Sequence, residues 1–216
     1  MTKLLYIEAS PRKALSYSSQ VANEFLDVYR AENPDHEIEH LPLFDMELPA
    51  FAAEGATQKM DNLMDVFSGG AGIGPVGEWA GVLSEIERLK SADKILLSAP
   101  MWNYSIPYRL KHWIDLVVQV GASVLVNDKF EYVGQITDRP LQMVLSSGSP
   151  YEMRFPLESD GVKIDFQRAY LDHIFRFVGF TDIRLVKVQP MGLPGPALEE
   201  ALTASKAAAR DAAKAF

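Results

Sequence analysis

The stretch SAPMWNYSIPYRLKHWIDLV, residues 98–117, holds the end of a buried strand, an aromatic turn and the start of a helix. Upstream, the apolar run KILLSA at residues 94–99 has the length of a strand. Pro100 and Pro107 restrict the backbone on either side of Met101, Trp102, Asn103 and Tyr104. Downstream, Leu110, Trp113, Ile114, Val117 and Val118 recur at helical spacing on one face. Turns normally carry Gly, Pro, Asn, Asp or Ser; this one carries two large rings and a thioether. Two readings fit. Either the rings fold back as core, or they form a shelf for a flat ligand, with the Asn103 amide reaching a polar ring edge.

The same alternation repeats in both directions. Residues 3–9, KLLYIEA, read as a first strand, and a helix follows from Ser18 with Val21, Phe25, Val28 and Tyr29 on one face. Residues 37–41 read as a second strand and residues 58–67 as a short helix. Trp79, Leu83, Ile86 and Leu89 mark another helix, and residues 141–145 a fourth strand. Leu171, Ile174, Phe175 and Val178 mark a helix, and residues 182–188 a fifth strand. In a last helix from Ala197, Leu198, Ala201, Leu202, Ser205 and Ala208 are expected to face the sheet. Such alternation predicts an α/β fold with a mostly parallel sheet covered on both faces. Ligands of such sheets bind beyond the carboxyl ends of the strands, at the topological switch point. The loops after the first, third and fourth strands are therefore expected to converge.

Composition narrows the chemistry. The 216 residues predict one domain, residues 1–216. A net charge of −8 argues against broad nucleic-acid or anionic-membrane binding, so any bound phosphate must be held locally. The absence of cysteine removes disulfides, thiolate zinc, iron–sulfur clusters and a cysteine nucleophile, and fits a cytoplasmic location. No apolar run is long enough for a transmembrane helix. The opening MTKLLYIEASPR lacks the pattern of a signal peptide.

The first loop, SPRKALSYS at residues 10–18, lies between a strand and a helix N-terminus. Free amides and the helix dipole favour an anion there. Hydroxyls of Ser10, Ser16 and Ser18 would add hydrogen bonds, and Arg12 a charge. A serine N-cap with no ligand fits the same residues. Gly72, Gly74 and Gly77 formally match G-x-G-x-x-G, but the segment before them reads as helix, so residues 69–77 are read as a loop before a helix. The fourth-strand loop, SSGSPY, offers Ser146, Ser147, Gly148, Ser149 and the phenol of Tyr151. No carboxylate cluster joins His36 and His40 into a metal site, and no G-x-S-x-G elbow is present.

PMWNYSIPYRLKHWID resembles the FMN-dependent NADH-azoreductase family, a branch of the flavodoxin-like NAD(P)H:quinone oxidoreductases. The early SPR…SYS loop and LPLFD after the second strand agree with it. The resemblance spans nearly the whole chain. It implies a flavodoxin-like fold, a five-stranded parallel sheet in order 2-1-3-4-5 with helices on both faces. It further implies a homodimer with FMN near the subunit interface, NADH or NADPH as hydride donor, and a quinone or azo compound as acceptor. By position, Ser10, Ser16, Tyr17 and Ser18 would hold the FMN phosphate. Met101, Trp102, Asn103 and Tyr104 would line the isoalloxazine, and Ser146, Ser147, Gly148 and Ser149 would cover its pyrimidine end. The family's fourth loop is usually richer in glycine and followed by a histidine. Here Tyr151 stands near the histidine's place, as in related quinone reductases where a phenol helps move protons, and it is the candidate proton donor. Rival readings are a flavodoxin-type electron carrier and a flavin-binding regulatory module, since fold alone does not fix function.

Overall fold

The computed structural model describes residues 1–149, 165–192 and 195–216. The chain runs β1 (Lys3–Glu8), α1 (Tyr17–Glu32), β2 (Glu37–Pro42), α2 (Ala53–Phe67), α3 (Gly77–Ser91), β3 (Lys94–Pro100) and α4 (Tyr108–Val117). It continues through β4 (Val124–Val126), β5 (Tyr132–Gly134), β6 (Leu141–Ser146), α5 (Phe166–Phe177), β7 (Ile183–Val188) and α6 (Pro196–Lys214). Five strands form one parallel sheet in the order β2-β1-β3-β6-β7. Counted among the strands of this sheet alone, that order is 2-1-3-4-5; the numbering differs because β4 and β5 form a separate antiparallel hairpin.

The inner strands β1, β3 and β6 are almost wholly buried because both faces are covered, whereas the edge strands β2 and β7 carry charged residues and are mostly half-buried. Leu4 and Tyr6 of β1 pack with Val21, Phe25 and Tyr29 of α1 and Ala209 of α6. Leu5 and Ile7 face the other way, toward Trp79 and Ile86 of α3, Trp113 of α4 and Phe175 of α5. Trp113 is therefore core. The face of α6 departs from expectation: Ser205, Ala209 and Ala213 are buried, while Ala208 is exposed. The four-residue step from Ser205 keeps one face, whereas the three-residue step drifts off it.

Helix α2 starts at Ala53, five residues before the expected start. Its first turn is capped from a distance. Glu78 Oε2 of α3 accepts from the amides of Ala52 (2.8 Å) and Gly55 (2.7 Å). Gln58 Oε1 of α2 in turn accepts from the amide of Trp79 (2.9 Å), so each helix caps the other. The β4–β5 hairpin escapes a periodicity reading because its strands are only three residues long. It lies hard against the end of α5: a Cβ on Gly134 would meet the backbone of Gly179 and Val178 at 2.3 Å.

Candidate functional site

The register sets the site. Glu8 of β1 lies level with Ser98 of β3, and Pro100 of β3 with Ser146 of β6. The loops after β1, β3 and β6 therefore leave the sheet at one edge, beside the switch point where the chain turns from β1 to either neighbour. A cavity of about 210 Å³ opens between them.

From the first loop, Ser10, Arg12, Ser16 and Tyr17 line this cavity. Ser10 and Ser16 are only 5 % and 3 % exposed. Ser16 is the N-cap of α1; its Oγ accepts from the amide of Ser19 (3.4 Å) and lies 3.1 Å from Ser18 Oγ. The first-turn amides of Tyr17 and Ser18 have no acceptor among the described residues. A serine cap and free amides thus coexist, and the helix start offers donors to an anion. Ser18 is fully buried and reaches the cavity only through its contact with Ser16.

From the third-strand loop come Pro100, Met101 and Trp102. The Met101 amide donates to the Ser146 carbonyl (2.7 Å), joining this loop to the next. Trp102 and Ser105 exchange both backbone hydrogen bonds, at 3.0 and 2.9 Å. Between them Asn103 and Tyr104 adopt φ of 47° and 67°, the pattern of a type I′ turn. Asn tolerates that region; a tyrosine there carries backbone strain. The Trp102 ring packs edge-on against Phe44 (5.6 Å) and tilted against Tyr108 (6.2 Å). Asn103 and Tyr104 do not line the smaller cavity; Asn103 faces a second, larger one that Trp102 also lines.

Ser146, Ser147 and Gly148 supply the remaining wall. Ser149 contributes its carbonyl, which accepts from Ser147 Oγ (2.9 Å). Tyr151 falls outside the described residues. A fourth segment completes the wall unannounced by sequence. The amides of Met191 and Gly192 donate to the carbonyls of Ser147 and Gly148, both at 2.9 Å, and Met191 lines the cavity. Gly192 approaches so closely that a Cβ would stand 2.8 Å from the Gly148 oxygen. A Met-Gly pair just past the fifth sheet strand was the available signal.

Tyr6, His36 and His40 make structural contacts. Tyr6 lies behind the site with its hydroxyl 2.9 Å from Ser98 Oγ; burial, then the charge of Glu8, pushes its phenol well above the ordinary range. His40 stacks on Tyr6 (4.9 Å) and meets Glu8 at 2.9 Å, and His36 meets the Tyr29 hydroxyl at 2.8 Å. Among the described residues no group of three or more His, Asp or Glu is placed to hold a metal.

A family model described as flavodoxin-like fold matches residues 2–213. An FMN-dependent NADH:quinone oxidoreductase from Nitratidesulfovibrio vulgaris (strain DP4) is 38 % identical over 199 residues, covering 91 % of this chain and 90 % of the relative. The chain belongs to the FMN-dependent NADH:quinone oxidoreductase family. Among solved structures, the azoreductase from Bacillus anthracis str. Sterne superposes with a TM-score of 0.84 at 23 % identity, covering all of both chains. An FMN-dependent NADH-azoreductase from Bacillus anthracis str. Ames Ancestor, in complex with FMN, gives 0.75 at 22 % identity, covering 99 % of this chain and 100 % of that one. At such identities these two likenesses speak for the flavodoxin-like fold.

Proposed function

We propose that this family member is an FMN-dependent oxidoreductase, a single domain over residues 1–216, that carries electrons from NADH or NADPH to quinones or azo compounds. The observation that carries the reading is the convergence of three loops, far apart in sequence, on one cavity that joins anion donors to an apolar wall. The free amides of Tyr17 and Ser18 and the hydroxyls of Ser10 and Ser16 fit a phosphate. Met101 and Trp102 fit the flat face of a flavin ring, and Ser146 to Ser149 its polar end. When bound, FMN would supply hydride acceptance and donation at N5, in a ping-pong sequence.

At about 210 Å³ the cavity is smaller than the roughly 300 Å³ lower bound of ligand pockets. Part of a flavin ring would thus stay uncovered by the Met101–Trp102 wall, where donor and acceptor must stack in turn. The turn held by the mutual Trp102–Ser105 bonds keeps that wall in place, and positioning is most of what the protein contributes. Tyr151 is read from sequence as proton donor to the reduced acceptor. Homodimer formation is part of the same reading; an apolar hairpin surface supports it, with Phe130 80 % and Tyr132 56 % exposed. No described helix is long and apolar enough to cross a membrane. The function is tested by steady-state oxidation of NADH with benzoquinone. Turnover that requires FMN, with parallel double-reciprocal plots, is expected; no turnover with either nicotinamide donor would defeat the proposal.

A further inference from the structure

Trp102 lines both the smaller cavity and the larger one, of about 710 Å³. Its backbone is fixed by the two bonds it exchanges with Ser105. Those bonds leave the ring free to turn about its side-chain torsions. Such a turn would carry a large ring into one cavity or the other. Two ring contacts oppose it: Phe44, edge-on at 5.6 Å and 60°, and Tyr108, tilted at 6.2 Å and 40°. Tyr108 is itself 65 % exposed and meets the half-buried Phe44 edge-on at 5.4 Å. Phe44 is thus the shielded partner in a cluster of three rings.

The segment that carries Phe44 is pinned on both sides. Leu43 is fully buried, and its amide donates to the Glu8 carbonyl (3.0 Å). Asp45 pairs with Lys13 of the first loop at 3.0 Å. The Met46 carbonyl accepts from Arg109 (2.9 Å), and the Pro49 carbonyl lies 3.1 Å from His112 Nε2. Leu43 and Leu48 join the apolar core, whereas among the described residues Phe44, Trp102 and Tyr108 belong to neither core cluster. The Phe44 ring therefore serves the turn after β3 and not the sheet. Edge-on ring pairs attract beyond their area of contact. We propose that Phe44 is a positioning residue: it holds the Trp102 ring at the angle that keeps both cavities open and presents a fixed wall to the flat ring of the cofactor. The cofactor's part rests on the oxidoreductase reading; the hold on Trp102 rests on the ring geometry alone.

Two measurements separate these. Phe44→Leu removes the ring and keeps an apolar side chain; Phe44→Tyr keeps the ring. The full chain labelled with 5-fluorotryptophan gives three fluorine signals, from Trp79, Trp102 and Trp113, and Trp102→Ala assigns the one it deletes. Phe44→Leu is expected to shift the Trp102 signal and leave Trp79 and Trp113 in place, and Phe44→Tyr to leave all three as in wild type. FMN and riboflavin should both bind Phe44→Leu about two- to ten-fold more weakly, the weight of one ring pair, since the donors of the first loop are untouched. In the Trp102→Ala background Phe44→Leu should weaken neither flavin further, because the two residues act as one unit. A Trp102 signal that stays in place, a shift shared by all three tryptophans, or equal weakening with and without Trp102 would overturn the assignment. A selective shift of the Trp102 signal in a protein that binds neither flavin would uphold the hold on Trp102 and defeat the cofactor reading.

Discussion

Ser147 Oγ stands 3.0 Å from Oε1 of Gln189, tying the loop after β6 to the segment that follows β7. The same hydroxyl lies 2.9 Å from the Ser149 carbonyl, so its one hydrogen is shared between two acceptors. Gln189 thus holds from outside the loop proposed to meet the polar end of the flavin. Gln189→Ala is expected to weaken FMN by about 0.5–1.5 kcal/mol, one hydrogen bond's worth, with little change in melting temperature. Flavin fluorescence titration reads the affinity. A lower melting temperature with unchanged affinity would make Gln189 purely structural.

Ser16→Ala combined with Ser18→Ala removes the linked hydroxyls at the start of α1. FMN affinity should drop by about 0.5–1.5 kcal/mol per lost hydrogen bond. Stability should fall by about 1 kcal/mol from the lost N-cap at Ser16. Riboflavin, which lacks the phosphate, should bind both proteins alike. Equal FMN affinity would move the phosphate elsewhere.

Trp102→Ala deletes the ring that lines both cavities and packs on Phe44 and Tyr108. It should lower the flavin retained through gel filtration. Unchanged retention and turnover would make Trp102 ordinary packing.

Glu78→Ala removes the shared acceptor of the Ala52 and Gly55 amides. Helix α2 buries only Gly55 and Asn62, so it has little apolar anchoring to compensate. Amide exchange should quicken along α2 before the sheet is affected, by about 1–2 kcal/mol of local stability. Uniform loss across the fold would contradict this.

Acid should weaken the contact between α1 and α6. Glu24 meets Arg210 at 2.8 Å and Lys206 at 3.3 Å, and the Arg210 hydrogen bond holds its carboxyl below the usual 4.5. A carboxyl lowered in the folded state contributes stability that is complete above its unfolded value and is lost as pH falls through the folded one. Denaturant unfolding of Glu24→Gln should therefore show a shallower acid limb than wild type. Parallel limbs would mean that the pair is too exposed to matter.

The sheet was legible because its inner strands are buried on both faces and its helices keep an apolar side. Leu110, Trp113 and Ile114 announce α4, and Val21, Phe25 and Tyr29 announce α1, without any tertiary information. The start of α2 was not, because its cap comes from Glu78 in another helix. Nor was the β4–β5 hairpin, whose strands are too short for an alternation to register. At the site, Ser10, Ser16, Met101, Trp102 and Gly148 stand out by type and by place after a strand. Gln189 does not: it acts through a contact made only when the sheet edge assembles.

The most direct test of the central claim is anaerobic titration of the FMN-loaded protein with NADH, followed through the visible flavin band. The account predicts bleaching to the two-electron-reduced flavin at one equivalent, reversed by benzoquinone. A band that survives excess NADH and then excess NADPH would contradict it, and would leave a flavin carrier or regulatory module.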